Sequence, residues 1–306
     1  MNTILKQRII TASIASIFVI ATLFLLEPFW FSAIFSLLII VGIWEWIELF
    51  KIGNKLKYSL YILNIFNLIF VLHGLVNAPG SDSGSVGYFY WVVAVFILLN
   101  LLFIVPFQII LYQKKKYTYK LSFPNLFFGI LLLWTTWAVI ADVYVFDSTH
   151  SHYKDLPYEF VLLYLFLVVW SADIAAYFVG KRFGRHKLAS EISPGKTWEG
   201  AAGGVVGGVI VAVLATYFYK KTSCFCEFDI PSFLNFIGVM FFASIIVIFS
   251  IVGDLYVSMA KRQAGKKDSG VLFPGHGGVL DRIDSFIYPV IFMHTILVLS
   301  ANFMIV

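Results

Sequence analysis

Nine stretches of sustained hydrophobicity, each near the roughly 20 residues that one bilayer crossing needs, leave this 306-residue chain little to fold into except a bundle of membrane helices. They run from Ile9 to Leu26, Phe29 to Ile47, Tyr58 to Val76, Tyr88 to Ile110, Leu126 to Val145, Phe160 to Gly180, Gly200 to Tyr219, Phe233 to Gly253 and Phe286 to Ile305. Composition agrees, with 60% hydrophobic and 13% charged residues, where a soluble domain carries about a quarter charged. The expected fold class is all-α, a polytopic integral membrane protein, and a soluble single domain is excluded. The first stretch is longer than a signal-peptide core and runs into Glu27-Pro28-Phe29 instead of a small-residue cleavage site, so it is expected to remain as a helix. Cys224 and Cys226 are too close for an easy disulfide and too few for a zinc site, which removes cysteine chemistry from consideration.

Orientation follows from the cations. If nine spans alternate, all but Lys154, Lys220 and Lys221 of the 22 lysines and arginines fall on one side of the membrane. Cytoplasmic loops carry such an excess, so the N-terminus is expected in the cytoplasm and the C-terminus outside. The net charge of +5 is accordingly a topology signal, and no nucleic-acid partner is expected. Residues 1–150 read as scaffold helices. Residues 151–306 read as a catalytic region served by two cytoplasmic loops, 181–199 and 254–285.

Polar chemistry is concentrated in those loops. Asp281 and Asp284 are three apart at the start of the last helix, a spacing that places both carboxylates on one face. Asp254 leaves the preceding span on the same side, so three hard oxygen donors could converge on Mg²⁺. The plainer alternative is that Asp281 and Asp284 cap a helix start or pair with Arg282. Lys261, Arg262 and Lys267 offer charges for phosphate oxygens. Pro274-Gly275-His276-Gly277-Gly278 lets backbone N–H groups approach an anion just before a helix; a turn-stabilising hydrogen bond is the plainer role of His276.

In the other loop, Ser193, Lys196 and Thr197 could bind a second anion, or Ser193 or Thr197 could cap the next helix with Glu199 in its first turn. Asp173 lies inside the sixth span about 10 Å from its end at 1.5 Å per residue, and intramembrane acids are functional by default. The seventh span opens on Gly200, Gly203, Gly204, Gly207 and Gly208, a surface for close helix packing. His294, lone on an apolar helix, reads as structural.

Ser258, Lys261-Arg262, Lys267-Asp268, Gly270, Pro274 to Gly278 and Leu280-Asp281-Arg282 with Asp284 resemble the signature of the phosphatidate cytidylyltransferase (CDP-diacylglycerol synthase) family. Asp173, Tyr177, Gly180 and the run Ser193 to Gly200 are similar to the family's second block, with Gly195 a small departure. The first 150 residues share only hydropathy. The resemblance implies condensation of CTP with phosphatidic acid to CDP-diacylglycerol and pyrophosphate. It implies a catalytic set of Asp254, Asp281, Asp284, Lys261, Arg262, Lys267 and Asp268, and a substrate-binding set of Ser193, Lys196, Thr197, Ser258, His276, Gly277, Gly278, Arg282 and Asp173. Mg²⁺ on Asp254, Asp281 and Asp284 is the expected cofactor, with a second cation, K⁺ or Mg²⁺. Localisation in a bacterial inner membrane with a cytoplasmic active site, and a homodimer, are further expectations.

Two rivals make different demands. A CDP-alcohol phosphotransferase needs an Asp-Gly-x-x-Ala-Arg run, whereas Asp254 is followed by Leu255. An ion-coupled transporter needs paired interrupted helices in two halves and polar residues at the midplane; here they crowd one membrane face.

Overall fold

The computed structural model of the protein describes residues 3–77, 93, 95–114, 123–149, 158–222, 232–273 and 277–303. Its helices are α1 (Thr3–Leu25), α2 (Pro28–Ile47), α3 (Asn54–Asn77), α4 (Val105–Gln113), α5 (Phe123–Thr149), α6 (Tyr158–Phe183), α7 (Trp198–Thr222), α8 (Ser232–Gln263), α9 (Leu280–Ile283) and α10 (Ile287–Phe303). Six apolar helical segments among the described residues are long enough to cross a membrane: Phe29–Ile47, Val95–Gln113, Phe123–Ala141, Glu159–Phe183, Trp198–Tyr219 and Phe236–Gln263. The chain is a helical, polytopic integral membrane protein. The predicted first, third and ninth stretches also carry helix, in α1, α3 and α10.

Prolines mark where helices start. Pro28, Pro124 and Pro289 all sit in the first turn of their helices, where a missing N–H costs nothing because no carbonyl waits for it. Pro106 follows a π-helical turn, Asn100–Ile104. One extra residue in the turn absorbs the hydrogen bond that Pro106 cannot make.

The predicted loops are partly structured. α8 continues ten residues past the predicted end at Gly253, to Gln263, so Asp254, Ser258, Lys261 and Arg262 are helical and not loop residues. Leu255, Tyr256, Val257, Met259 and Ala260 are buried along this extension, which supplies the apolar contact that the charges disguise in a hydropathy window. Between α6 and α7 the chain forms a small antiparallel hairpin, β1 (Lys187–Ala189) with β2 (Ser193–Thr197), paired Lys187 to Thr197 and Ala189 to Ser193. It is a small exception to an all-α fold.

The chain divides into two compact units. One contains Met1–Leu98, Tyr119–Glu159 and Ala260–Val306. Here α2 is buried through Ile39, Ile43, Trp46 and Ile47. The Trp46 indole donates to the Leu126 carbonyl at 3.2 Å and that of Trp137 to Ser36 Oγ at 2.5 Å, tying α2 to α5. Just beyond α2, Glu48 pairs with Lys57 at 2.9 Å and accepts from the Tyr61 hydroxyl at 2.7 Å.

The second unit contains Leu99–Thr118 and Phe160–Met259. The glycine face of α7 does what its spacing predicts. A methyl group at Gly203 would strike Val179, at Gly207 Ala175, and at Gly208 Val247, so α7 lies backbone-close against α6 and α8. Gln113 ties α4 to the hairpin through the Leu188 carbonyl at 3.2 Å.

Candidate active site

The signature residues of the first unit converge on one buried ion cluster. α8 carries Lys261 into it, and the turn holding α9 carries Asp281 and Asp284. Lys261 Nζ lies 2.5 Å from Asp281 Oδ1 and 3.9 Å from Asp284 Oδ2. The side chains are 6% to 10% exposed, so water screens the attraction little. The predicted shared face of the two aspartates is real: Asp281 sits in α9, and Asp284 follows with helical backbone angles.

Asp281 is further held by the backbone. Its Oδ2 accepts from the Ser269 N–H at 2.8 Å, the Gly278 N–H at 2.9 Å and the Ser269 hydroxyl at 3.0 Å. Burial raises its carboxyl pKa, but the Lys261 hydrogen bond and charge, with the two backbone N–H donors, outweigh it and leave the group below the ordinary aspartate range. The capping alternative is thus partly realised, since the bond to Gly278 reaches back to the start of the turn. Pairing with Arg282 gives way to Lys261, and Arg282 is exposed.

The glycine loop was expected to bring N–H groups to an anion, and it does so to the protein's own carboxylates. Gly277 has φ of +79°, a left-handed conformation, and a methyl group there would strike Asp281. At Gly278 the obstacle would be the carboxylate of Glu45. Sequence reading missed Glu45, which lies near the end of α2, 224 residues from Ser269. The signal was present: an acid within an apolar span is functional by default, an argument applied to Asp173 alone.

The second unit forms its own ion pair. Lys196 of β2 meets Asp254 of α8 at 2.5 Å, and Asp254 also accepts from Ser258 Oγ at 3.1 Å. Thr197 is buried and its hydroxyl oxygen accepts from the Gly200 N–H at 3.1 Å, so it caps α7. Glu199 folds back onto His186 Nδ1 at 2.6 Å, which closes the hairpin. Ser193 is half-buried in β2, while Lys267 and Asp268 are exposed on their loop. Arg262 donates to the Lys266 carbonyl at 3.5 Å. Asp173 lies on an exposed face of α6, one turn before Tyr177, whose ring is 5.7 Å from Lys181 Nζ. His276, and the cysteines Cys224 and Cys226, fall outside the described residues. His294 is buried in α10.

The carboxylate pair fits a hard divalent ion. Lys261 already occupies a point from which one cation reaches both Asp281 and Asp284, and carboxylate oxygens suit Mg²⁺. Among the described residues no three His, Cys, Asp or Glu side chains gather as a metal-holding group; Asp254 is instead held by Lys196 and Ser258. One or two carboxylates are nonetheless a normal protein share for Mg²⁺, with substrate phosphates and water completing the shell.

Apolar membrane-length helices, one buried lysine–aspartate cluster and one partly exposed lysine–aspartate pair define a membrane protein with charged groups matched at its polar segments. Known proteins narrow that class. The chain matches the cytidylyltransferase family over residues 6–300. It is 33% identical over 282 residues to the phosphatidate cytidylyltransferase of Haemophilus influenzae, covering 92% of this chain and 94% of that one. The protein of the same name from Pseudomonas aeruginosa is 33% identical over 281 residues, 92% of each chain. That of Bacillus subtilis is 31% identical over 315 residues, 96% of this chain and 98% of its own. The chain belongs to the cytidylyltransferase family.

Proposed function

We propose that this protein condenses CTP with phosphatidic acid, giving CDP-diacylglycerol and pyrophosphate for phospholipid synthesis. One coincidence carries the reading. The chain is similar over more than nine-tenths of its length to proteins named phosphatidate cytidylyltransferase, and the residues of that resemblance supply lysine-matched aspartates. A phosphatidate oxygen bonds to the α-phosphorus of CTP while the bond from that phosphorus to the pyrophosphate oxygen breaks. The attacking phosphomonoester has a second pKa of roughly 6 and is largely dianionic at neutral pH, so no protein nucleophile is required.

The chain's part is charge management. Lys261, Arg262 and Lys267 bind the triphosphate, and Lys196 with Ser193 and Thr197 positions one of the two substrates. Each lysine that turns to a phosphate releases the aspartate it now matches, so substrate binding and cation binding are coupled. Asp281 and Asp284 would hold Mg²⁺, and a second cation, K⁺ or Mg²⁺, belongs to the same reading; Asp254, expected from the sequence as a third ligand, is paired with Lys196 and Ser258 within its own unit. Mg²⁺ held there would supply charge neutralisation for the reacting phosphates and the departing pyrophosphate.

The same reading takes nine crossings, a cytoplasmic N-terminus, residues 151–306 as the catalytic region and a bacterial inner membrane location. The boundary between cytoplasm and bilayer is where soluble CTP meets a lipid headgroup. The test uses CTP labelled on the α-phosphate, mixed with phosphatidate, Mg²⁺ and purified protein, with lipid-extractable label counted. Incorporation is expected for wild type and is lost with EDTA or in Asp281→Ala. Equal counts in wild type and variant would remove Asp281 from the site, and no lipid label from the wild type would remove the reaction.

A further inference from the structure

A second carboxylate stands behind Asp281. Glu45 is 5% exposed and is held by three donors from the signature loop. Its Oε1 accepts from the Val279 N–H at 3.0 Å, and its Oε2 from the Leu280 N–H at 2.9 Å and the Ser269 hydroxyl at 2.7 Å. α9 has no side-chain cap of its own, so the N–H groups at its start are satisfied from α2. Two glycines make room: a methyl group at Gly270 or at Gly278 would strike the Glu45 carboxylate.

The Ser269 hydroxyl has one proton and two carboxylates in reach, Glu45 at 2.7 Å and Asp281 at 3.0 Å. It cannot donate a full hydrogen bond to both at once. Whatever draws Asp281 toward a cation leaves this hydroxyl to Glu45, so Glu45 keeps the loop satisfied while Asp281 changes partners. A span expected to be scaffold therefore reaches the reacting end of the molecule.

We infer that Glu45 is a positioning residue for the cation site: it fixes the turn from Gly278 to Leu280 and thereby presents the Asp281 carboxylate. This rests on the proposed cation-dependent reaction. Glu45→Gln is the sharp substitution, because it keeps the shape but sets an amide N–H₂ against a ring of donors. Hydrogen-bonded groups behind metal ligands contribute about 10- to 100-fold to metal affinity or activity.

The experiment measures Mn²⁺ binding by electron paramagnetic resonance, and amide hydrogen exchange without metal, on full-length protein in lipid nanodiscs. Wild type, Asp281→Asn, Glu45→Gln and Gly278→Ala are compared. Gly278→Ala pushes the same carboxylate from the opposite side and keeps its charge, so it serves if Glu45→Gln fails to fold. Expected are Mn²⁺ affinity lower by about 10-fold or more in Glu45→Gln and Gly278→Ala, and faster exchange confined to residues 277–284. If Asp281→Asn loses Mn²⁺ while the other two bind like wild type with unchanged exchange, the inference is overturned and the reaction stands. If wild type and Asp281→Asn bind Mn²⁺ alike, the cation reading falls and takes the inference with it.

Discussion

Replacing Lys261 by methionine tests whether its ammonium is a counter-charge that a divalent ion can replace. At an effective dielectric constant of about 20, a unit pair at the 3.9 Å separating Lys261 from Asp284 attracts by roughly 4 kcal/mol, and the Asp281 contact at 2.5 Å is stronger. Desolvating the ammonium offsets several kcal/mol of that, and measured costs of breaking one side of a buried pair run about 3–5 kcal/mol. Asp281 retains its bonds from Ser269 and Gly278, so the low end, about 3 kcal/mol, is expected for Lys261→Met. Mg²⁺ at about 100 times its dissociation constant returns roughly 2.7 kcal/mol. Removing both charges, in Lys261→Met with Asp281→Asn, should fall less than the single variant, because only the more distant carboxylate, Asp284 at 3.9 Å, then loses the lysine. Intrinsic tryptophan fluorescence during thermal unfolding in detergent reads wild type, Lys261→Met, Asp281→Asn and the double variant, with and without Mg²⁺. Equal midpoints for wild type and Lys261→Met would refute the reasoning. So would a double variant that falls by the combined losses of the two single ones.

Two other expectations concern stability. The Asp281 carboxyl is held below its unfolded value of 3.8, so its contribution is fully present above that value and is lost as pH falls through the lowered one. Unfolding midpoints in detergent should therefore respond little to Asp281 from pH 7 to about 5 and decline below about 4; an Asp281→Asn protein with the same acid decline as wild type would contradict this. In α7, Gly203→Leu and Gly207→Val drive side chains into Val179 and Ala175. Overpacking of this kind costs roughly 1–3 kcal/mol or more, expected as a lower unfolding midpoint with the half-saturating CTP concentration unchanged. A wild-type midpoint would show that α7 does not pack there.

Helix positions were legible because their cause is local. Apolar length and the glycine face of α7 each act within one segment, and the described helices follow them. The spacing of Asp281 and Asp284 was legible for the same reason. The extension of α8 was hidden by a hydropathy window that stops at charges, although Asp254, Ser258 and Lys261 already recur at helical spacing. The β1–β2 hairpin had no alternation to announce it: Ser193-Pro194-Gly195-Lys196-Thr197 reads as a turn. It is closed by bonds that only the fold supplies, the Trp198 N–H to the His186 carbonyl at 3.0 Å and Glu199 to His186. Glu45 stood out as an acid within an apolar span, but its partners were illegible, since they lie 224 to 235 residues away.

The mixture of cations and aspartates in the two polar loops acquires a more specific sense from this geometry. Lysines alone would bind phosphate, and aspartates alone would bind a cation, but either set buried without counter-charge would weaken the fold by several kcal/mol. Interleaving them lets each group stabilise the other. Lys261 with Asp281 is the buried instance, and Lys196 with Asp254, whose side chains are 28% and 26% exposed, is a partly solvated pair formed in the other unit of the chain. A catalyst that brings two phosphates and a metal ion together needs matched charge before and after they arrive. In the proposed reaction the backbone donors held by Glu45 would remain in place while the side-chain partners change; the loop has glycine at Gly278 because the Glu45 carboxylate lies against the main chain there.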